Sequence, residues 1–313
     1  MFSSKKTWDP NGKHVYITGG SQGLGLAVAK LVAKKGAHVS IVARRQSKLD
    51  SALQEIESVR QSPDQIFRAF SFALDTAGMS AAALRAASDA HGGHVPDAVF
   101  ACAGSSKPMF FLEMEETDMT QGMVNGYWVQ AWTAFAAAKQ MAREGKKGKI
   151  VLVSSTLGYI SFVGWASYSP AKHAIRGLGD TLRSELMLYG IEVQTFFPAT
   201  IYTPGFDEEN KTKPSISREI ESVDEGQTAE QAALGMLEGV ERGDAHITSD
   251  IGTSMFRATT RGLAPRNNVL LDLFLDMFGW VRVPLWRRWM EGLVVAHRAE
   301  HLEYLQKRGV LGS

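Results

Sequence analysis

The chain has 313 residues, is 44% hydrophobic and carries a formal net charge of +1. That length permits one large core or two domains, and the near-neutral charge gives no reason to expect nucleic acid as a partner. A single cysteine, Cys102, excludes an intrachain disulfide and fits a reducing compartment. Met1 to Lys13 is polar and lacks an apolar core, so no signal peptide is expected there.

His14 to Thr18 is short and β-prone, and Gly19, Gly23 and Gly25 punctuate the turn that follows. Leu26 to Lys35 has helical spacing, and Val39 to Val42 is a second apolar run. Gln46 to Gln61 places Leu49, Leu53 and Ile56 on one helical face until Ser62-Pro63-Asp64 breaks it. Residues 66–73 suggest a third strand leading to Leu74-Asp75, and residues 77–91 are alanine-rich and helix-prone. A fourth strand, Ala98 to Cys102, ends at Ala103-Gly104, and a long helical region spans about 113–143. Lys149 to Ser154 is continuous and apolar, as a buried parallel strand should be. A helix at about 167–188, a strand at Ile191 to Phe197, a helix at about 228–241 and a short strand near 245–248 complete the pattern. The alternation predicts an α/β fold, a doubly wound parallel sheet of about seven strands with helices on both faces. This domain is expected over residues 1–250, followed by an apolar, amphipathic extension over 251–313.

Two motifs carry chemistry. Glycines at a strand-to-helix turn let the backbone approach a pyrophosphate, and the helix N-terminus favours the negative charge. Ser155 lies thirteen residues before Tyr168, and Lys172 follows Tyr168 by four, which places the last two on one face of a helix. An ammonium near a phenol favours the phenolate, so Lys172 is expected to lower the Tyr168 pKa and make it a usable acid or base. Ser154 is the neighbouring alternative, and the thirteen-residue spacing selects Ser155.

Thr18-Gly-Gly-Ser-Gln-Gly-Leu-Gly25, Asn125, Ser155 and Tyr168-Ser-Pro-Ala-Lys172 together resemble the short-chain dehydrogenase/reductase family over about residues 12–250. The resemblance implies a Rossmann-type fold, a nicotinamide cofactor, and Ser155, Tyr168, Lys172 and Asn125 as catalytic residues. It places Gly19, Ser21, Gln22, Gly23, Leu24 and Gly25 at the pyrophosphate, with a helix cap as the other reading of Ser21. Arg44 and Arg45 follow the second strand, where NAD-dependent members usually have an acidic residue. An arginine there can pair with a 2′-phosphate, with Lys48 as a third cation, so NADPH is expected. The other reading is two solvated arginines at a helix start.

Leu74 and Asp75 are implied at the adenine, or Asp75 is simply a helix cap. Cys102-Ala103-Gly104 stands where the family has Asn-Ala-Gly, and Cys102 reads as a small buried hydrophobe. Asn125 is implied to hold a relay water through its carbonyl, or else to bend the helix. Pro198, Ile201 and Thr203 should close over the nicotinamide, and residues 204–227 read as a long polar loop, either lid or disordered insertion.

The segment 196–214 is similar to the loop of family members that reduce long-chain keto lipids. It implies a keto-lipid substrate, a place on the cytosolic face of the endoplasmic reticulum membrane, and a homodimer or homotetramer. A steroid, sugar or xenobiotic ketone remains an alternative substrate, and a catalytically dead nucleotide sensor an alternative function. Residues 263–292 are the most apolar stretch, but Asp272, Asp276, Arg282 and Pro284 interrupt it, so no clean membrane span is expected. Trp280, Trp286 and Trp289 beside Arg287 and Arg288 suit a headgroup boundary, and a subunit interface or substrate-pocket wall suits them equally.

Overall fold

The computed structural model describes residues 8–222, 225–260, 262 and 264–310. Much of the polar Met1–Lys13 stretch, residues 223–224 of the expected loop and the last three residues of the extension lie outside them. Six strands alternate with helices: β1 (His14–Thr18), β2 (His38–Ala43), β3 (Phe67–Ser71), β4 (Ala98–Ala101), β5 (Lys149–Val153) and β6 (Glu192–Phe196). A two-stranded ribbon of β7 (Ile201–Tyr202) and β8 (Gln227–Thr228) precedes the last strand, β9 (His246–Ile247). The main sheet has seven strands in the order β3-β2-β1-β4-β5-β6-β9, with every pair parallel. The order reverses between β1 and β4, which opens a crevice at their carboxyl ends.

Period-two alternation sends the strand side chains to opposite sides. Val15, Ile17 and Ile41 pack with Val28 and Val32 of α1 (Gly23–Lys34), Leu49 of α2 (Gln46–Glu57) and Met236 of α9 (Ala229–Arg242). Tyr16, Val99, Ile150 and Leu152 pack with Leu84 of α3 (Ala77–Asp89), Met141 of α5 (Val129–Arg143) and Ile175 of α6 (Ser169–Glu185). Burial on both faces explains the near-continuous apolar runs of β1, β4 and β5. Each fully buried aliphatic side chain contributes about 1.5–3 kcal/mol of transfer free energy.

Three segments differ from the sequence reading. The region 113–143 is broken: α4 (Glu116–Met123) passes through a π-helical turn, Val124–Trp128, before α5 begins. The stretch 204–227 is not a structureless loop. It holds α7 (Pro204–Asn210) and α8 (Ser215–Glu221), and Thr203 caps α7 by accepting a hydrogen bond from the Phe206 amide at 3.2 Å. Pro204 at the first helical position lacks the amide hydrogen that would otherwise need a partner.

The extension folds into α10 (Ile251–Thr260), α11 (Val269–Ala296) and α12 (Arg298–Lys307). Gly279 lets α11 approach α10, since a Cβ there would fall 2.5 Å from the Thr259 methyl. Asp272 is buried against Arg257, whereas Asp276 is only half-buried. No described helix is long and apolar enough to cross a membrane.

Candidate active site

The glycine turn follows β1, and its tightness is steric. Gly19 has φ +67°, and a Cβ there would lie 2.9 Å from Ala103 backbone atoms across the β1–β4 crevice. A Cβ on Gly25 would lie 2.4 Å from the Gly19 carbonyl, so α1 starts directly against the turn. Gly23, with φ +56°, sits against Thr203, so the turn and the segment after β6 touch. Gln22 occupies the N-cap of α1 without capping it through its side chain, so Ser21 is not the cap residue. The first amides of α1 therefore remain available to a ligand, and no acidic residue opposes an anion there.

One cavity of about 1190 Å³ collects the expected residues. Gly19, Ser21, Gln22, Gly23, Leu24, Gly25, Arg44, Arg45, Leu74 and Asp75 line one end. Ala103, Gly104, Asn125, Ser155, Tyr168, Lys172, Pro198, Ile201 and Thr203 line the remainder. Thr76, not Asp75, caps α3, accepting from the Met79 amide at 3.2 Å. Lys48 is the exception: it is exposed on α2 and does not line the cavity, because its neighbour Leu49 turns that helix's apolar face to the core.

Ser155 lies two residues beyond β5 in extended geometry and accepts from the Leu157 amide at 3.1 Å. Ser154 is occupied elsewhere, donating to the Lys172 carbonyl at 2.8 Å. Tyr168 stands at the N-cap of α6, one turn before buried Lys172. Asn125 lies in the π turn, with its carbonyl 3.1 Å from where a Gly104 Cβ would sit. Such a turn is a recurrent device at functional sites. Cys102 is half-buried, and burial pushes its thiol up to about 12, partly offset by Lys172.

The expected effect of Lys172 on Tyr168 does not hold in this arrangement. Burial raises the phenol above its ordinary value, Glu209 adds to the rise, and a hydrogen bond from Ser155 opposes it. The reason is where the ammonium points. Lys172 Nζ donates to the Val153 carbonyl at 2.9 Å and lies 5.3 Å from the Tyr168 ring centroid. Tyr168 therefore holds its proton at neutral pH, as a proton donor must. Burial brings Lys172 down to about 8, with Cys102 opposing. If a charged Lys172 is required, kcat/KM for reduction should fall as pH rises through about 8. A steady-state pH profile that stays flat there contradicts that requirement.

The other wall of the cavity comes from the extension. Thr253, Met255 and Phe256 of α10 and Leu275, Phe278 and Trp286 of α11 line it. Thr156 ties this wall to the site, its hydroxyl lying 2.6 Å from that of Thr253 and 3.1 Å from the Pro198 carbonyl. Glu209, on α7, also faces the cavity and holds a hydrogen bond from Ser106. Sequence patterning does not single it out, because Asp207-Glu208-Glu209 reads as a solvated charge run.

A parallel sheet with a glycine cradle at its switch point, and a serine, tyrosine and lysine beside it, defines a class of nucleotide-dependent oxidoreductase. The short chain dehydrogenase family model matches residues 13–214, and the chain belongs to that family. It is 40% identical over 305 residues to 3-ketodihydrosphingosine reductase TSC10 of Cryptococcus neoformans, covering 97% of this chain and 91% of that one. It is 33% identical to 3-dehydrosphinganine reductase of Danio rerio, over 85% of this chain and 80% of that protein. Among solved structures it resembles a Burkholderia phymatum short chain dehydrogenase/reductase in complex with NAD (TM-score 0.70, 20% identity, 81% of this chain and 95% of that one). It also resembles a Sphingobium yanoikuyae short-chain dehydrogenase in complex with NADPH (TM-score 0.65, 20% identity, 75% and 87%). A nicotinamide cofactor fits the cradle: the Gly19, Gly23 and Gly25 backbone admits close approach, and the start of α1 offers unpaired amides.

Proposed function

We propose that the chain is an NADPH-dependent reductase that converts 3-ketodihydrosphingosine to dihydrosphingosine. One observation carries this reading: a single cavity runs from the glycine turn, past Ser155 and Tyr168, to the apolar wall of Leu275, Phe278 and Trp286. A long alkyl chain needs such a wall, and the named activity of the relatives supports the same substrate. Bound in the cradle, NADPH would supply a hydride to the carbonyl carbon. Tyr168 donates its proton to the oxygen as the carbonyl becomes an alcohol. Ser155 hydrogen-bonds the same oxygen and stabilises its developing charge. Lys172, held by the Val153 carbonyl, supplies a donor for the nicotinamide ribose. The test is the ratio of kcat/KM for 3-ketodihydrosphingosine to that for a steroid or sugar ketone. Values within about tenfold of each other, about 1.4 kcal/mol of discrimination, would overturn the substrate assignment.

NADPH rather than NADH is supported by Arg44 and Arg45, both on the cavity wall, with Arg45 Nη2 3.5 Å from the Gln22 side-chain oxygen. A guanidinium bonds a phosphate about twice as strongly as a neutral donor does. Replacing both arginines by alanine should lower kcat/KM for NADPH about 10²-fold or more and leave the NADH value nearly unchanged. Equal losses with both cofactors would remove the arginines from that role.

Membrane contact is supported by the outer side of α11. Leu270 and Trp280 are each 80% exposed, and Leu273, Phe274, Met277 and Val281 extend the same apolar surface. A helix apolar on both sides needs a second apolar partner, and a bilayer surface at the cytosolic face of the endoplasmic reticulum would supply one. Leu270→Glu with Trp280→Glu should reduce binding to phospholipid vesicles about tenfold or more, and undiminished binding would exclude this helix as the contact.

A further inference from the structure

Helices α7 and α8 deliver a charged cluster to the substrate end of the cavity. Glu209 and Glu221 both line it. Lys213 lies between them, 1% exposed, with its Nζ 2.9 Å from Glu209 Oε1 and 2.6 Å from Glu221 Oε2. Trp165 Nε1 donates to Glu221 Oε1 at 3.0 Å, and the Ser106 hydroxyl donates to Glu209 Oε2. Lys213 also packs over the Trp165 and Phe206 rings. Two carboxylates share one ammonium, and with both ionised the cluster has a formal charge of −1; burial and the neighbouring Glu209 raise the Glu221 carboxyl, while Lys213 and Trp165 oppose that rise. A carboxylate has about four lone-pair sites, and Glu209 uses two of them here. Capacity for one more N–H donor remains at a wall from which the Glu209 charge is felt by Tyr168.

A surplus negative charge beside a carbonyl-reducing tyrosine is costly for a plain ketone, since reduction already places negative charge on that oxygen. It is favourable for a ketone that carries a cation nearby. The substrate proposed above is such a molecule: its C2 ammonium is bonded to the carbon next to the carbonyl. We infer that Glu209, held in place by Lys213 and Ser106, binds the substrate's C2 ammonium and so selects 2-amino ketones over other long-chain ketones. Glu221 anchors Lys213 from the other side, between it and Trp165. The inference rests on the sphingoid-ketone reading and extends it to the headgroup. The shared ammonium explains rejection as well as binding, because a ligand without the amine leaves two carboxylates with only Lys213 between them.

The test compares 3-ketodihydrosphingosine with the same long-chain 1-hydroxy-3-ketone lacking the amine, using the full-length protein and Glu209→Gln. The ratio of the two kcat/KM values should fall about 10- to 100-fold in the variant, carried mainly by KM for the amino ketone. Taking the ratio cancels any change in Tyr168, because the phenol serves both substrates. An unchanged ratio, with both substrates slowed alike, would reduce Glu209 to a structural part of α7 and overturn the inference. A second measurement on the unmutated protein does not depend on the variant folding. Dihydrosphingosine should inhibit at least about tenfold more strongly than its deaminated analogue, and equal inhibition would also overturn the inference. An unmutated protein that reduces the deaminated ketone but not the amino ketone would instead overturn the substrate reading, and the inference with it.

Discussion

Replacing Tyr168 by phenylalanine is expected to lower kcat for ketone reduction by about 10²- to 10⁴-fold while leaving NADPH affinity within about threefold. The substitution deletes one hydroxyl from a residue whose ring packs against Trp165, so the fold loses little. On the proposed mechanism the variant loses the group that hands the proton to the carbonyl oxygen. Lys172 Nζ is held by the Val153 carbonyl at 2.9 Å, 5.3 Å from the Tyr168 ring centroid. Steady-state kinetics with a fluorescence titration of NADPH checks both halves. A loss of less than about tenfold would mean that the proton comes from elsewhere, such as solvent.

The largest expected effect on stability lies in the extension. Arg257 and Asp272 are 3% and 1% exposed and form a two-pronged ion pair, one prong at 2.9 Å between Nη1 and Oδ2. Asp272 also accepts from the Asn267 amide at 3.0 Å. Removing one member of a buried pair leaves the other charge uncompensated and costs about 3–5 kcal/mol. Asp272→Ala should therefore lower Tm by roughly 5–10 °C, whereas an Arg257→Met/Asp272→Leu double variant should recover most of the loss.

The pH dependence has a definite sign. Burial alone would raise the Asp272 pKa, but the Arg257 hydrogen bonds and charge outweigh it and hold the carboxyl below its ordinary value. Its stabilisation is thus complete above the ordinary carboxylate range and disappears as pH falls through the lowered value. The gap between the parent and Asp272→Ala should close in acid. Thermal melts across pH check this, and a gap that widens in acid contradicts it.

Sequence reports spatial neighbours where contacts are local, and one cavity gathers the glycine turn with Ser155, Tyr168 and Lys172. The glycine turn and the Ser155–Tyr168–Lys172 spacing are set by one strand end, one helical turn and one loop, so sequence distance reports spatial distance. The seven-strand alternation was legible for the same reason. What failed depended on packing at long range. Lys172 is one turn from Tyr168, yet its ammonium turns to the Val153 carbonyl of a different element, which no helical spacing reveals. The π turn at Asn125 follows from contacts with the chain around Gly104 and α6.

Helices α7 and α8 are not evident from composition, although Thr203-Pro204 is a recognisable helix start. The charge run after it hides Glu209, whose place on the cavity wall emerges only once Lys213 and Glu221 pack beside it. Sequence leaves the extension between membrane contact, subunit interface and pocket wall, and α11 shows why it cannot choose. Its inner side lines the cavity while its outer side stays apolar and exposed.

The most direct measurement is transfer of label from NADPH deuterated at the reactive nicotinamide position to 3-ketodihydrosphingosine by the purified protein. One deuterium at C3 of the dihydrosphingosine formed, equal to the NADPH consumed and appearing about 10²- to 10⁴-fold more slowly with Tyr168→Phe, is the predicted result. Oxidation of NADPH without deuterium at C3, or no oxidation with this substrate at all, would contradict it.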